Sequence, residues 1–137
     1  MRKYRLAFEA AWIDEAIELY REAGLGAKSS SDLLRAMQAS FRVVTCWEGP
    51  KLCGIGRLLS DGVYYASVFD VAVRPSHQRQ GIGSEIMRLL EAAVPGMRIY
   101  LTSTLGNEEF YVRMGYKRHR TAFAKYPGRY AGSPYLI

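Results

Sequence analysis

Between Phe69 and Arg88 the chain reads FDVAVRPSHQRQGIGSEIMR: an apolar run, a basic loop with two glycines and the first turns of an amphipathic helix, in unbroken succession. Val63 to Val73 is rich in β-branched and aromatic residues, and apolar side chains fill both alternating sets, which predicts a central strand buried on both faces of a sheet. Arg74-Pro75 ends it, because proline cannot donate to a ladder and biases its predecessor away from helix. From Ile82 the apolar positions Ile82, Ile86, Leu89, Leu90 and Ala93 follow helical spacing until Pro95-Gly96 stops the pattern. The loop between strand and helix therefore leads the backbone straight into a helix N-terminus.

That arrangement suits an anion. The first turn of a helix leaves N–H groups without intrahelical partners, and the macrodipole adds positive potential there. Gly81 and Gly83 allow close approach to the backbone, Ser84 adds a hydroxyl donor, and Arg79 with Arg74 supplies positive charge, so a phosphate or pyrophosphate is the expected ligand. Two familiar phosphate motifs do not fit. The dinucleotide fingerprint needs a third glycine where this chain has Ile86, and the P-loop needs a lysine before the hydroxyl residue where this chain has Gly83-Ser84.

The run resembles the signature of the GNAT superfamily of N-acetyltransferases, whose phosphate loop reads Gln/Arg-x-x-Gly-x-Gly/Ala; Gln78, Gly81 and Gly83 match it. The resemblance extends upstream to the D-V-A-V-x-P strand end at Asp70 to Pro75. Downstream, EFYVRMGY from Glu109 to Tyr116 is similar to the family's second signature. The implied fold is α/β (α+β): a mixed, mostly antiparallel sheet of six to seven strands with a parallel pair in its middle, flanked by about four helices.

Length and composition agree with one domain over 1–137: the chain has 137 residues, 49% of them hydrophobic and 23% charged, enough for a real core. No stretch approaches a membrane span, and MRKYRLAFEAAW lacks the apolar segment of a signal peptide, so a cytoplasmic protein without membrane contact is expected. Cys46 and Cys53 flank the turn signal Glu48-Gly49-Pro50-Lys51 and read as reduced core residues facing each other across a hairpin. The formal charge of +6 fits a polyanionic small ligand such as coenzyme A; the densest basic cluster, Lys117 to Arg120, comes with no nucleic-acid motif. No metal site is expected. The apolar end Tyr135-Leu136-Ile137 is suited to docking on its own sheet or on a second copy in a homodimer.

Taken in order, Lys3 to Phe8 reads as an edge strand, and Ile13 to Ala23 as a helix with Ile13, Ala16, Ile17 and Tyr20 on one face. A second helix, capped by Ser30 or Ser31, runs through Ala39. Phe41 to Trp47 and Lys51 to Leu59 form a hairpin, Ser60-Asp61-Gly62 turns into the central strand, and Met97 to Thr102 is a fifth strand parallel to it. Asn107 to Met114 is a short helix, and Tyr116 to Tyr126 a last strand or hairpin.

The resemblance implies a chemistry: an amine attacks the thioester of acetyl-CoA directly, without a covalent enzyme intermediate and without a metal. It assigns the pantetheine arm to Val71, Ala72 and Val73, and the pyrophosphate to Gln78, Arg79, Gln80, Gly81, Ile82, Gly83 and Ser84. It makes Gly24 to Ser31 a wall of the acceptor pocket. Tyr111 stands where the family places its general acid; beside Phe110 it also reads as a packing aromatic. Asp70 reads equally as a proton relay through a water and as a structural carboxylate held by backbone or an arginine. Many members carry a coenzyme-contacting asparagine seven residues before the tyrosine. This chain has Thr104 there, which leaves Asn107 to cap the short helix or to take over the contact. The expected partners are acetyl-CoA and a primary amine, most simply of a small molecule. A protein lysine acceptor and a non-catalytic CoA-binding module are the alternatives.

Overall fold

The computed structural model describes residues 1–137, which form two compact units, Met1–Thr102 and Ser103–Ile137. The first is built on a sheet of five strands, β1 (Arg2–Arg5), β2 (Arg42–Glu48), β3 (Lys51–Ser60), β4 (Tyr65–Val73) and β5 (Arg98–Tyr100), side by side in chain order. Neighbours from β1 to β4 are antiparallel, and β5 joins β4 in parallel. Three helices flank it: α1 (Ile13–Glu22), α2 (Ser30–Ala39) and α3 (Ile82–Glu91).

Each face of the sheet takes its own cover. Ala16, Leu19 and Tyr20 of α1 and Leu33 and Met37 of α2 close a core over Val43, Trp47, Leu52, Ile55 and Ala72. On the other face Ile82, Ile86 and Leu90 bring α3 down onto β3, at Gly54 and Gly56. A Cβ on Gly54 would stand 2.8 Å from Ile82 Cγ2 and 2.9 Å from Ile86 Cδ1, and one on Gly56 2.9 Å from Ile86 Cγ2. The two glycines thus set how deep the helix lies, which in turn fixes where its N-terminus stands beyond β4.

Turn chemistry matches the sequence. Gly49, at φ 57°, closes the β2–β3 turn, and the Asp61 carboxylate accepts backbone N–H bonds from Val63 (2.8 Å), Tyr64 (2.7 Å) and Tyr65 (3.2 Å). Those three bonds hold the Asp61 carboxyl below its ordinary pKa.

Several expectations change. The sheet has five strands, not six or seven, and its parallel pair lies at an edge instead of the middle. No strand forms over Tyr116 to Tyr126, where Lys117 to Tyr126 are all exposed and the basic run offers no alternating apolar face to fix a register. Beyond Thr102 the one α-helix is α4 (Glu108–Arg113). The expectation that β4 is buried on both faces fails at Tyr65 and Phe69, which are 51% and 40% exposed. Ser29, instead of Ser30 or Ser31, caps α2, accepting from Asp32 N at 3.2 Å. Cys46 pairs with Gly54, and Cys53 is the extra residue of a β-bulge; both thiols are free and buried.

Gly54→Ala forces a methyl into side chains of α3 that already touch the strand. It should cost about 1–3 kcal/mol, read as a lower midpoint in urea unfolding.

Candidate functional site

β5 accompanies β4 only over Tyr65↔Arg98, Ala66↔Ile99 and Ser67↔Tyr100. Beyond that, β3 is the only strand beside β4, pairing with Val68, Phe69, Ala72 and Val73, so the other edge of β4 has no strand partner there and is open to an extended ligand. A second irregularity lies within the same stretch. Between the pairs Arg57↔Phe69 and Ile55↔Ala72, β3 contributes Gly56 and β4 contributes Asp70 and Val71, a bulge that bends β4 and re-aims its backbone.

The bulge puts Asp70 at φ 57°, a left-handed conformation that costs a non-glycine residue about 1–2 kcal/mol. Two bonds offset that cost. The buried phenol of Tyr20 donates to the Asp70 carbonyl at 2.8 Å, and Arg57 Nε donates to Asp70 Oδ2 at 2.8 Å. Arg57 is itself held, with Nη1 reaching Ser40 Oγ at 3.4 Å and its guanidinium 5.7 Å from the Phe69 ring centre. Burial, then the Asp70 charge, push the Tyr20 phenol well above its ordinary pKa, so it remains a donor. Asp70 thus occupies the arginine-held arrangement that its sequence position left open beside a relay role.

β4 ends in a loop that turns through a short 3-10 helix, Pro75–His77. Gln78 Nε2 donates back to the Val73 carbonyl at 3.1 Å, folding the loop against the strand end. Arg79 and Gly81 both take positive φ, 62° and 82°, and Gly81 leads into α3 with no side chain capping the helix. The first-turn N–H groups of Ile82, Gly83 and Ser84 therefore have no intrahelical acceptor and no side-chain cap, and Arg79, Gln80 and Ser84 are exposed beside them. Gln80 is engaged on its far side by Arg2, whose Nη1 reaches its carbonyl at 3.4 Å and whose Nη2 meets its side-chain oxygen.

Arg74 is not part of this cradle, contrary to expectation. Its side chain is 3% exposed and donates to Leu52 O (2.6 Å), Glu22 Oε2 (2.7 Å) and Glu15 Oε2 (3.0 Å). It ties α1 to the sheet instead of offering charge to a phosphate. His77, read as a lining of the loop, binds Glu48 Oε1 at 2.9 Å.

The second unit carries Tyr111 on α4. Its ring stands edge-on to Phe110 (4.9 Å) and to Tyr116 (6.0 Å), and burial raises the phenol above its ordinary pKa. Asn107 precedes α4 without capping it by its side chain; its Nδ2 donates to Thr104 Oγ1 at 2.6 Å. The two positions considered as alternatives for one contact are therefore bonded to each other.

The structure brings Val71 to Val73 and Gln78 to Ser84 together as one continuous edge and helix end, while Asn107 and Tyr111 share the short helix of the second unit. Sequence reasoning missed Arg57 and the bond made by Tyr20. The signal for Arg57 was present: it is one cation inside the otherwise apolar GIGRLL of β3.

Comparison with known proteins gives a consistent result. Residues 4–116 match the family described as Acetyltransferase (GNAT) family. An uncharacterized ycf52-like N-acetyltransferase of Prochlorococcus marinus is 28% identical over 120 residues, covering 80% of this chain and 67% of the relative. A GNAT-family acetyltransferase from Streptococcus pneumoniae superimposes with a TM-score of 0.74 at 24% identity, over 94% of this chain and 98% of its own. A protein of unknown function from meticillin-resistant Staphylococcus aureus gives 0.79 at 23% identity, over 92% of this chain and all (100%) of its own. At these identities the two structures show the shared fold.

Tyr20→Phe removes the donor to the Asp70 carbonyl while keeping the ring. Unfolding in urea should show a loss of about 1–3 kcal/mol, the cost of a polar group left unpaired in a partly buried place.

Proposed function

This chain belongs to the GNAT acetyltransferase family, and on that premise we propose that it moves an acetyl group from acetyl-CoA directly to a primary amine of a small molecule, with residues 1–137 acting as one cytoplasmic catalytic domain. The observation that carries the reading is the unpaired edge of β4 running into the uncapped N-terminus of α3. An extended chain of amides ending in a pyrophosphate suits both features at once. Val71, Ala72 and Val73 offer backbone partners to the pantetheine arm. The N–H groups of Ile82, Gly83 and Ser84, the open space at Gly81 and the exposed Arg79 and Gln80 suit the pyrophosphate, with Gln78 shaping the loop. The bonded pair Thr104 and Asn107 supplies the contact that other members draw from a single asparagine.

In this reading the amine lone pair attacks the thioester carbonyl, a C–N bond forms, the C–S bond breaks, and the sulfur leaves as a thiolate. Holding the two reactants in register supplies much of the acceleration. A backbone N–H at the bulge, near Val71, faces the developing oxyanion. Burial holds the Tyr111 phenol above its ordinary pKa, so it is protonated near neutrality and stands as the donor to the thiolate as that forms. The proton it gives up is made good by the one the amine loses. That proton leaves the nitrogen of the adduct; an earlier one must leave the ammonium for solvent before attack, since an alkylamine is only about 0.04% neutral at pH 7, and this first loss limits the rate near neutrality. Asp70, paired with Arg57, serves the backbone of the bulge in this scheme more directly than it serves the amine. Lys28, whose Nζ lies 5.3 Å from the Tyr20 ring centre in the α1–α2 loop, places positive charge on that side and favours a neutral or anionic amine over a polyamine.

Calorimetric titration with acetyl-CoA, desulfo-CoA and ATP tests the cofactor: the CoA forms should bind and ATP should not. Failure of acetyl-CoA to bind overturns the reading. Once an acceptor supports thiol release, Tyr111→Phe should lower kcat by about 10²–10⁴-fold with little change in KM for acetyl-CoA. Because burial raises the phenol, kcat/KM should climb with pH as the amine deprotonates and show no falling limb below about pH 10. Unchanged turnover in Tyr111→Phe removes Tyr111 as the acid.

A further inference from the structure

At the end of the sheet next to the loop, three side chains from separate elements converge: Glu48 closing β2, Cys53 in the bulge of β3 and His77 in the turn after β4. One Glu48 oxygen, the Cys53 sulfur and a His77 ring nitrogen all lie within 4.8 Å of one another. We infer that Glu48, Cys53 and His77 form a site for one zinc-class divalent cation, outside the acetyl-transfer machinery.

The donor set decides the class of ion. Thiolate, imidazole and carboxylate together suit Zn²⁺, which is content with four mixed ligands, and they do not suit Mg²⁺ or Ca²⁺, which demand oxygen. Around a tetrahedral zinc with bonds of about 2.0–2.3 Å the donor atoms stand roughly 3.3–3.8 Å apart. Closing from the present spread asks for movements of no more than about 1 Å, available to Glu48, whose side chain is 36% exposed, and to His77 in its exposed turn. Water takes the fourth position from the same open side.

Outer partners already orient the donors. Ser76 Oγ lies 2.7 Å from His77 Nδ1, which leaves Nε2 turned toward Glu48. Arg2 Nε holds Glu48 Oε2 at 3.3 Å, which leaves Oε1 turned toward His77. Such bonds to the second atom of each ligand are what fix metal-binding histidines and carboxylates in known sites. The β-bulge does the same for Cys53, since an extra residue in one strand re-aims its side chain. The thiol makes a 3.5 Å contact to the Lys51 carbonyl. A hydrogen bond of 2.9 Å bridges His77 Nε2 and Glu48 Oε1 where the cation would sit. On binding, the Cys53 thiol proton passes to solvent and the sulfur ligates as thiolate, while the imidazole carries its one proton on Nδ1, toward Ser76 Oγ, and ligates through Nε2. The site joins the β2–β3 hairpin to the turn before Gln78, so occupancy braces the loop from behind.

The full-length protein, stripped with a chelator, is titrated with Zn²⁺ against a chromophoric indicator, and separately with Co²⁺ as a spectroscopic probe. One equivalent should displace the indicator, and Co²⁺ should show a thiolate-to-metal charge-transfer band in the wild type. Cys53→Ser should abolish the band and the tight equivalent, and Ser76→Ala should weaken binding by about 10–100-fold, with circular dichroism confirming that both variants fold. An indicator left undisturbed by the wild type, a cobalt spectrum without the thiolate band, or an equivalent retained at full affinity by Cys53→Ser each overturns the proposal. These readouts are independent of acetyl transfer.

Discussion

The left-handed backbone at Asp70 is the constraint on which the first unit's site depends. Without the bulge, β4 would continue its pleat past Phe69, and every residue after it would exchange faces. With it, Val71 turns to the α3 side, where its Cγ2 lies near Gly56, and Ala72 turns to the core under α1 and α2. An L-residue adopts this conformation only under compulsion, and the compulsion comes from both ends of the same residue: Tyr20 on its carbonyl and Arg57 on its carboxylate. The helix α1 is thereby coupled to the strand that offers its edge to a ligand.

The helix end is fixed by a different means. α3 reaches its place because β3 has no side chains at positions 54 and 56, so the sheet accepts Ile82 and Ile86 at a depth that any Cβ would deny them. On the opposite face the buried Arg74 guanidinium meets two carboxylates of α1 and the carbonyl of Leu52. A buried cation is tolerated only when its donors are satisfied, and removing a partner from such a group typically costs about 3–5 kcal/mol. The strand's C-terminal end is thus clamped from one side by an ion cluster and approached from the other by a helix dipole. The first serves structure, and the second is left available to an anion.

Much of this was legible beforehand. The succession of strand, loop and helix from Val63 to Glu91 follows from apolar periodicity and two punctuating prolines, and the hairpin from Gly49-Pro50. The candidate site residues from Val71 to Ser84 lie in the same stretch. Arg74 was misread because a cation beside a glycine-containing loop looks the same in sequence whether it points to solvent or inward. Its partners, Glu15 and Glu22, lie more than fifty residues away, and no local pattern announces them. The strand expected over Tyr116 to Tyr126 shows the converse limit. Tyr116, Phe123 and Tyr126 have β propensity, but a strand is stabilised by a covered face and a paired neighbour, and Lys117 to Tyr126 have no covered face.

The sequence by itself determined the order and kind of the elements from β1 to α4 and the family, because these rest on short-range periodicity, turn chemistry and motif spacing. Tertiary structure alone decided that Asp70 is a backbone anchor, that Arg74 is buried, that Tyr20 and Arg57 hold the bulge, and that Glu48, Cys53 and His77 meet. Each of those facts depends on which long-range partner satisfies a charge or a hydrogen bond, and partners are chosen by packing, after the local structure has already formed.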